Sequence, residues 1–156
     1  MEDINYMKEA YKEALIALEL EEVPIGCVIT HGNEIIGRGH NRRNTEKSVL
    51  RHAELIAIDE ACRYMNDWRL EGCRLYVTIE PCPMCAGAIL QARVPVLVYG
   101  ARNPKAGCAG SIINLLDDHR FNHRAQVISG IYEDTCSALM QDFFRKKRKN
   151  VIYCNE

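Results

Sequence analysis

Two short clusters hold the residue types from which a catalytic centre could be built. One is His52-Ala53-Glu54. The other is Pro81-Cys82-Pro83-Met84-Cys85. With eight cysteines in 156 residues, chance supplies about 0.4 Cys-x-x-Cys pairs, and His-x-Glu arises by chance about as often. Requiring a proline directly before the first cysteine lowers that pattern to about 0.01, so the two together are a strong signal.

The chemistry these residues share is that of a zinc site. Cys82 and Cys85 lie three apart, so at a helix start they occupy one face. Pro83 suits the first helical position, where its missing N–H would be unpaired in any case. The positive end of the helix dipole favours thiolates there. Two soft thiolates with the His52 imidazole form a donor set suited to Zn²⁺, and their charges neutralise it. Three protein ligands leave a fourth position for water, whose pKa zinc lowers to roughly 7. Glu54 is two residues from His52 and so does not face it on a helix. It therefore reads as a proton carrier beside the water. In a hydrolysis, one such carboxylate can take a proton from the water and deliver it to a leaving group.

Blander readings compete. Cys82 and Cys85 could be a redox pair, or core filler with His52 a satisfied core histidine. A closed structural zinc site would need a fourth ligand, for which Cys108, Cys73 and His40 are candidates.

The elements that would position these residues follow from periodicity. Ile4, Met7, Tyr11, Ala14, Leu15 and Leu18 predict an amphipathic helix over 3–20. Residues 25–30 and 34–39, joined by the turn His31-Gly32-Asn33, predict a β-hairpin. Residues 40–51 read as loop. A helix is expected over 52–65, a strand over 73–79, a helix after Pro81 and a strand over 95–99. A long glycine-containing loop follows over 100–110, then a strand over 126–131. A last helix spans 133–149, with Cys136, Leu139, Met140, Phe143 and Phe144 on one face. Helices alternating with strands need a sheet covered on both faces. The expected fold is α/β: a three-layer α/β/α sandwich around a five-stranded mixed sheet. Residues 1–156 are expected to form a single domain.

Composition bounds the rest. The N-terminus is acidic and reads as helix, unlike a signal peptide, and no stretch approaches a membrane span. A cytoplasmic chain is expected, with its thiols reduced. Cys27, Cys62, Cys73, Cys108, Cys136 and Cys154 are then mostly filler. The net charge of −1 conceals a segregation, because residues 145–149 (RKKRK) carry +5 and leave −6 on the remainder. Such a basic end is a footprint for phosphates, although cations at a helix C-terminus also complement its dipole. Trp68 reads as core or interface. His119 and His123 read as surface loop.

The two clusters together resemble the cytidine/deoxycytidylate deaminase superfamily. Further segments narrow the resemblance to the bacterial tRNA-specific adenosine deaminases. These are Pro24 to Val28, Gly39 to Arg42, Leu75 to Cys82, Gly100 to Arg102, Lys105 to Ser111, Asn122 to Arg124 and Asp142 to Arg145. The likeness runs over about residues 5 to 150, and only the later segments separate it from nucleoside, nucleotide and guanine deaminases.

The resemblance implies deamination of adenosine to inosine at a tRNA wobble position, by a homodimer whose two subunits both contact the tRNA. It implies His52, Cys82 and Cys85 as zinc ligands and Glu54 as proton shuttle. Asn41 would hydrogen-bond the flipped base, with Val28 against its face and the Ala53 backbone at its edge. Asn103 and Lys105 on the 100–111 loop, with Phe144, Arg145 and Arg148 on the last helix, would hold the anticodon loop. Asn103 stands where the family often carries an acid, and Val49-Leu50-Arg51 also departs from the common pattern. A deaminase of free bases or nucleotides would not need the basic end. A non-catalytic RNA-binding module with a structural zinc would need a fourth protein ligand.

Overall fold

The computed structural model describes residues 2–153, and the side chains of 2–150. Chain order is α1 (Asp3–Glu19), β1 (Gly26–His31), β2 (Glu34–His40), α2 (Ala53–Met65), β3 (Cys73–Ile79), α3 (Pro83–Gln91), β4 (Val96–Ala101), a 3-10 turn (Leu115–Asp117), β5 (Gln126–Ile128) and α4 (Glu133–Tyr153). The strands form one sheet in the order β2-β1-β3-β4-β5. β1 is antiparallel to both β2 and β3, whereas β3, β4 and β5 run parallel. The expected five-stranded mixed sheet is therefore the one observed.

The strand alternation places two separate cores on the two faces. Cys27, Ile29, Leu75, Val77 and Leu97 pack with Ala53, Ala57 and Ala61 of α2 and with Ala86 and Ile89 of α3. Val28, Tyr76 and Val98, one residue out of phase, pack with Tyr6, Met7 and Ala10 of α1 and Cys136 of α4. Helices thus cover both faces, which makes the three layers. The helix faces turned to the sheet are rich in alanine, and this brings α2 close to β2. A Cβ at Gly39 would lie 2.2 Å from the Ala53 carbonyl oxygen, so only glycine permits the contact at the start of α2.

Three expectations change. The buried face of α1 is Tyr6, Met7, Ala10, Glu13, Ala14 and Ala17, while Ile4 and Leu15 are exposed. Small side chains allow the close approach to β1, and this outweighs hydrophobic size. β5 ends at Ile128, and the chain turns at Gly130 with φ +81° before α4 begins. The 3-10 turn lies in a region that carries no periodic signal, and the Asn114 side chain caps it by accepting from Leu116 N–H. Trp68 is exposed, with the Arg69 and Arg93 guanidinium groups 5.3 and 6.0 Å from its ring centre. The seven described cysteines are all free of disulfides, and Cys154 lies outside the described residues.

Candidate active site

The site forms where two helix starts converge. His52 is the N-cap of α2 and Cys82 the N-cap of α3, each with extended backbone and neither using its side chain to cap. Pro83 follows as the first residue of α3. Both side chains are left available, and two dipole ends concentrate positive potential on the same spot. The parallel β3–β4 pair holds α3 in place, and the α2–β2 contact holds α2.

His52 Nδ1 lies 3.6 Å from the sulfurs of both Cys82 and Cys85. The three ligand atoms lie within 4.8 Å of one another. A tetrahedral zinc with bonds of about 2.3 Å to sulfur and about 2.05 Å to nitrogen would separate N from S by about 3.6 Å. The donor set and its spacing both fit zinc. Among the described residues no other His, Cys, Asp or Glu joins this group. The candidates for a fourth ligand are engaged elsewhere. His40 Nδ1 is 3.1 Å from Glu13, and the Cys108 and Cys73 thiols point hydrogen bonds at the Ala106 and Glu71 carbonyls. A closed four-ligand site is therefore not what the chain builds.

A hydrogen bond from Cys85, aided by one from His52, holds the Cys82 thiol down to about 4. The same bond, together with burial, pushes Cys85 far up. Its hydrogen bond to Cys82 raises His52. Metal binding must release the remaining protons. Burial pushes Glu54, which is 4% exposed, up to about 7. A carboxyl at that value exchanges protons readily near neutral pH.

A small cleft of about 100 Å³ opens onto these groups. It is lined by His52, Ala53, Glu54, Cys82, Asn41 and Asn103, all expected from the sequence, together with Val23, Ile25, Arg43, Ile79 and Glu80. Asn41 is buried. Its Nδ2 donates to the Val23 carbonyl at 3.3 Å, and its Oδ1 accepts from Arg43 N–H at 3.2 Å. Each group keeps hydrogen-bonding capacity for a ligand. The loop that follows Asn41 is held by Glu22, fully buried, which accepts from the N–H groups of Asn44 and Thr45.

Val28 is a correction. It is fully buried beneath α1 with Tyr6, Met7 and Tyr76 and does not line the cleft. The apolar wall is supplied instead by Ile25 and Val23, ahead of β1. Once the register of the sheet is known, alternation sends Val28 to the opposite face. The other expected contacts lie outside the cleft lining. Lys105 is exposed on its loop. Phe144, Arg145 and Arg148 are exposed on α4, where Arg145 pairs with Asp142. A separate groove between the ends of α1 and α4 is lined by Leu18, Leu139, Phe143, Lys146 and Lys147. His123 Nε2 contacts the Val94 carbonyl at 2.9 Å, and His119 meets Arg124, so neither is near the metal group. Among the described residues, no helix is long and apolar enough to cross a membrane.

The chain was compared with known proteins. Residues 1–148 match the MafB19-like deaminase family. The tRNA-specific adenosine deaminase of Bacillus subtilis is 54% identical over 148 residues, which covers 95% of this chain and 92% of the relative. The tRNA-specific adenosine deaminase of Aquifex aeolicus is 42% identical, covering 94% and 97%. A solved structure from a study of A-to-I editing by tRNA:A34 deaminases at the wobble position superposes with a TM-score of 0.83 at 39% identity, covering 86% of this chain and 98% of that one. The converging helix starts, the His/Cys/Cys group with its buried glutamate, and likeness over nearly the full length of these relatives lead to one assignment: this chain belongs to the deaminase family, in its tRNA-specific adenosine deaminase branch.

Proposed function

We propose that this protein hydrolyses adenosine to inosine at the wobble position of a tRNA anticodon, with one zinc ion per subunit, as a cytoplasmic homodimer. The observation that carries the reading is the His52–Cys82–Cys85 group beside the buried Glu54, in a chain 54% identical to a tRNA-specific adenosine deaminase. His52, Cys82 and Cys85 would hold the zinc, which when bound supplies a Lewis acid that makes the attacking water acidic near neutral pH.

The remaining work falls to the chain's own groups. Asn41 and the Ala53 backbone orient the base by its polar edge, and Ile25 and Val23 cover its face and exclude water. The Glu54 carboxylate takes a proton from the attacking water and passes it to the ring nitrogen next to the reacting carbon. The water oxygen bonds to that carbon. Glu54 then carries the second proton to the amine, the carbon–nitrogen bond breaks, and ammonia leaves. With its pKa near 7, Glu54 accepts and returns protons at comparable cost. Phosphate contacts fall to Lys105 and to the exposed basic run Arg145 to Lys149, whose +5 is set against an otherwise acidic body. Asn103 lines the cleft wall, which supports a role for it in meeting the ribose or backbone beside the target base.

The test is direct. Zinc-loaded protein is incubated with an anticodon stem-loop carrying adenosine at the wobble position, and the nucleosides are analysed for inosine. Inosine at that position supports the reading. Its absence, with turnover of free guanine or a free nucleotide instead, would replace it with a small-molecule deaminase.

A further inference from the structure

The chemistry above leaves one buried acid of the cleft without a task. Glu80 is the second residue before Cys82 and is 2% exposed. Among the described residues it has no cationic partner within ion-pair distance. A buried carboxylate without a counter-charge is costly unless hydrogen-bond donors surround it. Here the donors all come from one loop. Oε1 accepts from Asn103 N–H at 3.1 Å and from the Ser111 hydroxyl. Oε2 accepts from the N–H groups of Ala109 and Ser111, each at 3.0 Å. One carboxylate thus binds both ends of a nine-residue segment, 103–111.

The loop wraps this group closely. A Cβ at Gly107 would sit 2.4 Å from the Glu80 carboxyl carbon and 2.5 Å from the Asn103 carbonyl oxygen. Inside the loop, Ala106 N–H donates to Asn103 Oδ1 and Gly107 N–H to Asn103 O, and Cys108 N–H returns to the Pro81 carbonyl. Asn103 and Glu80 line the same cleft as His52 and Glu54.

We propose that Glu80 is a positioning residue: its carboxylate fixes the 103–111 loop as a wall of the cleft and sets Asn103 in register with the metal-binding helix start, and thereby with the substrate. The proposal rests on the deaminase reading of the cleft. Its logic is one of rigid attachment. Glu80 is two residues from Cys82, so whatever it holds shares a frame with the ligands. An apolar residue could fill the same volume but could not orient three backbone N–H groups.

The test compares three variants with the wild type. In Glu80→Gln, the amide must place its NH₂ against at least one backbone donor. The least costly choice is the Oε1 side, because the Ser111 hydroxyl can turn to accept, and this frees Asn103. Gly107→Ala displaces the loop while leaving the carboxylate intact. Ser111→Ala removes a single donor and guards against failure of the other two to fold. Zinc content, amide hydrogen exchange over 103–111, and kcat and KM on the wobble-adenosine stem-loop are measured for each.

We expect stoichiometric zinc throughout and faster exchange at the Asn103 amide in Glu80→Gln and Gly107→Ala. KM should rise about tenfold, the worth of one charge-assisted hydrogen bond, with kcat changed much less. Ser111→Ala should fall between these and the wild type. Unchanged exchange would overturn the clamp. Faster exchange with an unchanged KM would reduce Glu80 to an ordinary structural bond and overturn its role in positioning. A wild type that makes no inosine would defeat the deamination reading and the substrate half of the proposal, and hydrogen exchange would still decide whether Glu80 holds the loop.

Discussion

Substituting Gly39 by alanine tests whether the position of α2 controls the chemistry. The added Cβ would lie 2.2 Å from the Ala53 carbonyl oxygen and 2.9 Å from the Ala57 nitrogen, both main-chain atoms that no side-chain rotation can move aside. Since ordinary contact begins near 3.4 Å, the start of α2 must retreat by about 1.2 Å, and a misplacement of that size can cost about 100-fold in rate. Ala53 lies between His52 and Glu54, so the retreat carries a ligand and the proton shuttle away from Cys82 and Cys85 on α3. The packing cost is about 1–3 kcal/mol, a fall in melting temperature of about 3–10 °C for a chain of this size. Gly26→Ala is the control. Its Cβ would strike the Ala10 oxygen at 2.0 Å and the Ala14 nitrogen at 2.4 Å, on α1, which carries neither a metal-ligand candidate nor Glu54, so any shift of the neighbouring Ile25 wall should be read in KM rather than kcat. Both variants should lose stability to a similar degree by thermal circular dichroism. At a temperature well below both transitions, only Gly39→Ala should lose about two orders of magnitude in kcat. Equal kcat losses in the two variants, or a wild-type kcat in Gly39→Ala, would refute the idea that α2 placement is what the glycine protects.

Further outcomes are expected. Glu54→Gln should retain one zinc per chain by elemental analysis and lose about 10²–10⁴ in kcat, since the amide cannot shuttle protons; loss of zinc in this variant would place Glu54 among the ligands. A zinc chelator should abolish turnover and lower the melting temperature, and added zinc should restore both; a protein indifferent to chelation would exclude a metal at the His52 group. Tyr76 is pushed up to about 12 by burial and by its hydrogen bond to Asp3, which favours its neutral form in the fold. Its contribution is complete below the unfolded tyrosine value of about 10 and is lost as pH rises to about 12. Tyr76→Phe should therefore flatten the stability decline in that window, and an unchanged alkaline profile would contradict the assignment. Reversing the charges of Arg148 and Lys149 should weaken stem-loop binding and make the salt dependence shallower, with a slope unchanged in titrations between low and moderate salt counting against phosphate contacts there.

What could be read directly from the residues was local. The spacing of His52 and Glu54, and of Cys82 and Cys85 behind a proline, specifies donor types and helix starts, because capping and i,i+3 geometry act within a single turn. Strand alternation and the helical repeats specify a layered α/β sheet, since each period commits one face to burial. The position of Val28 was beyond that reach. Which face an alternating strand turns to the cleft depends on the register of β1 between β2 and β3, and a step of one residue sends the side chain to the opposite core. The buried face of α1 was also hidden, because the choice of Ala10, Ala14 and Ala17 over Ile4 and Leu15 depends on how closely β1 approaches. Glu80 lies in a segment that carries the family resemblance, but its task could not be read there: a glutamate at a strand end becomes the anchor of the 103–111 loop only when folding brings four donors from far along the chain around it. The sequence by itself determined which chemistry the chain could perform. Tertiary structure alone decided which walls enclose it, because the walls consist of contacts between residues that have no local reason to meet.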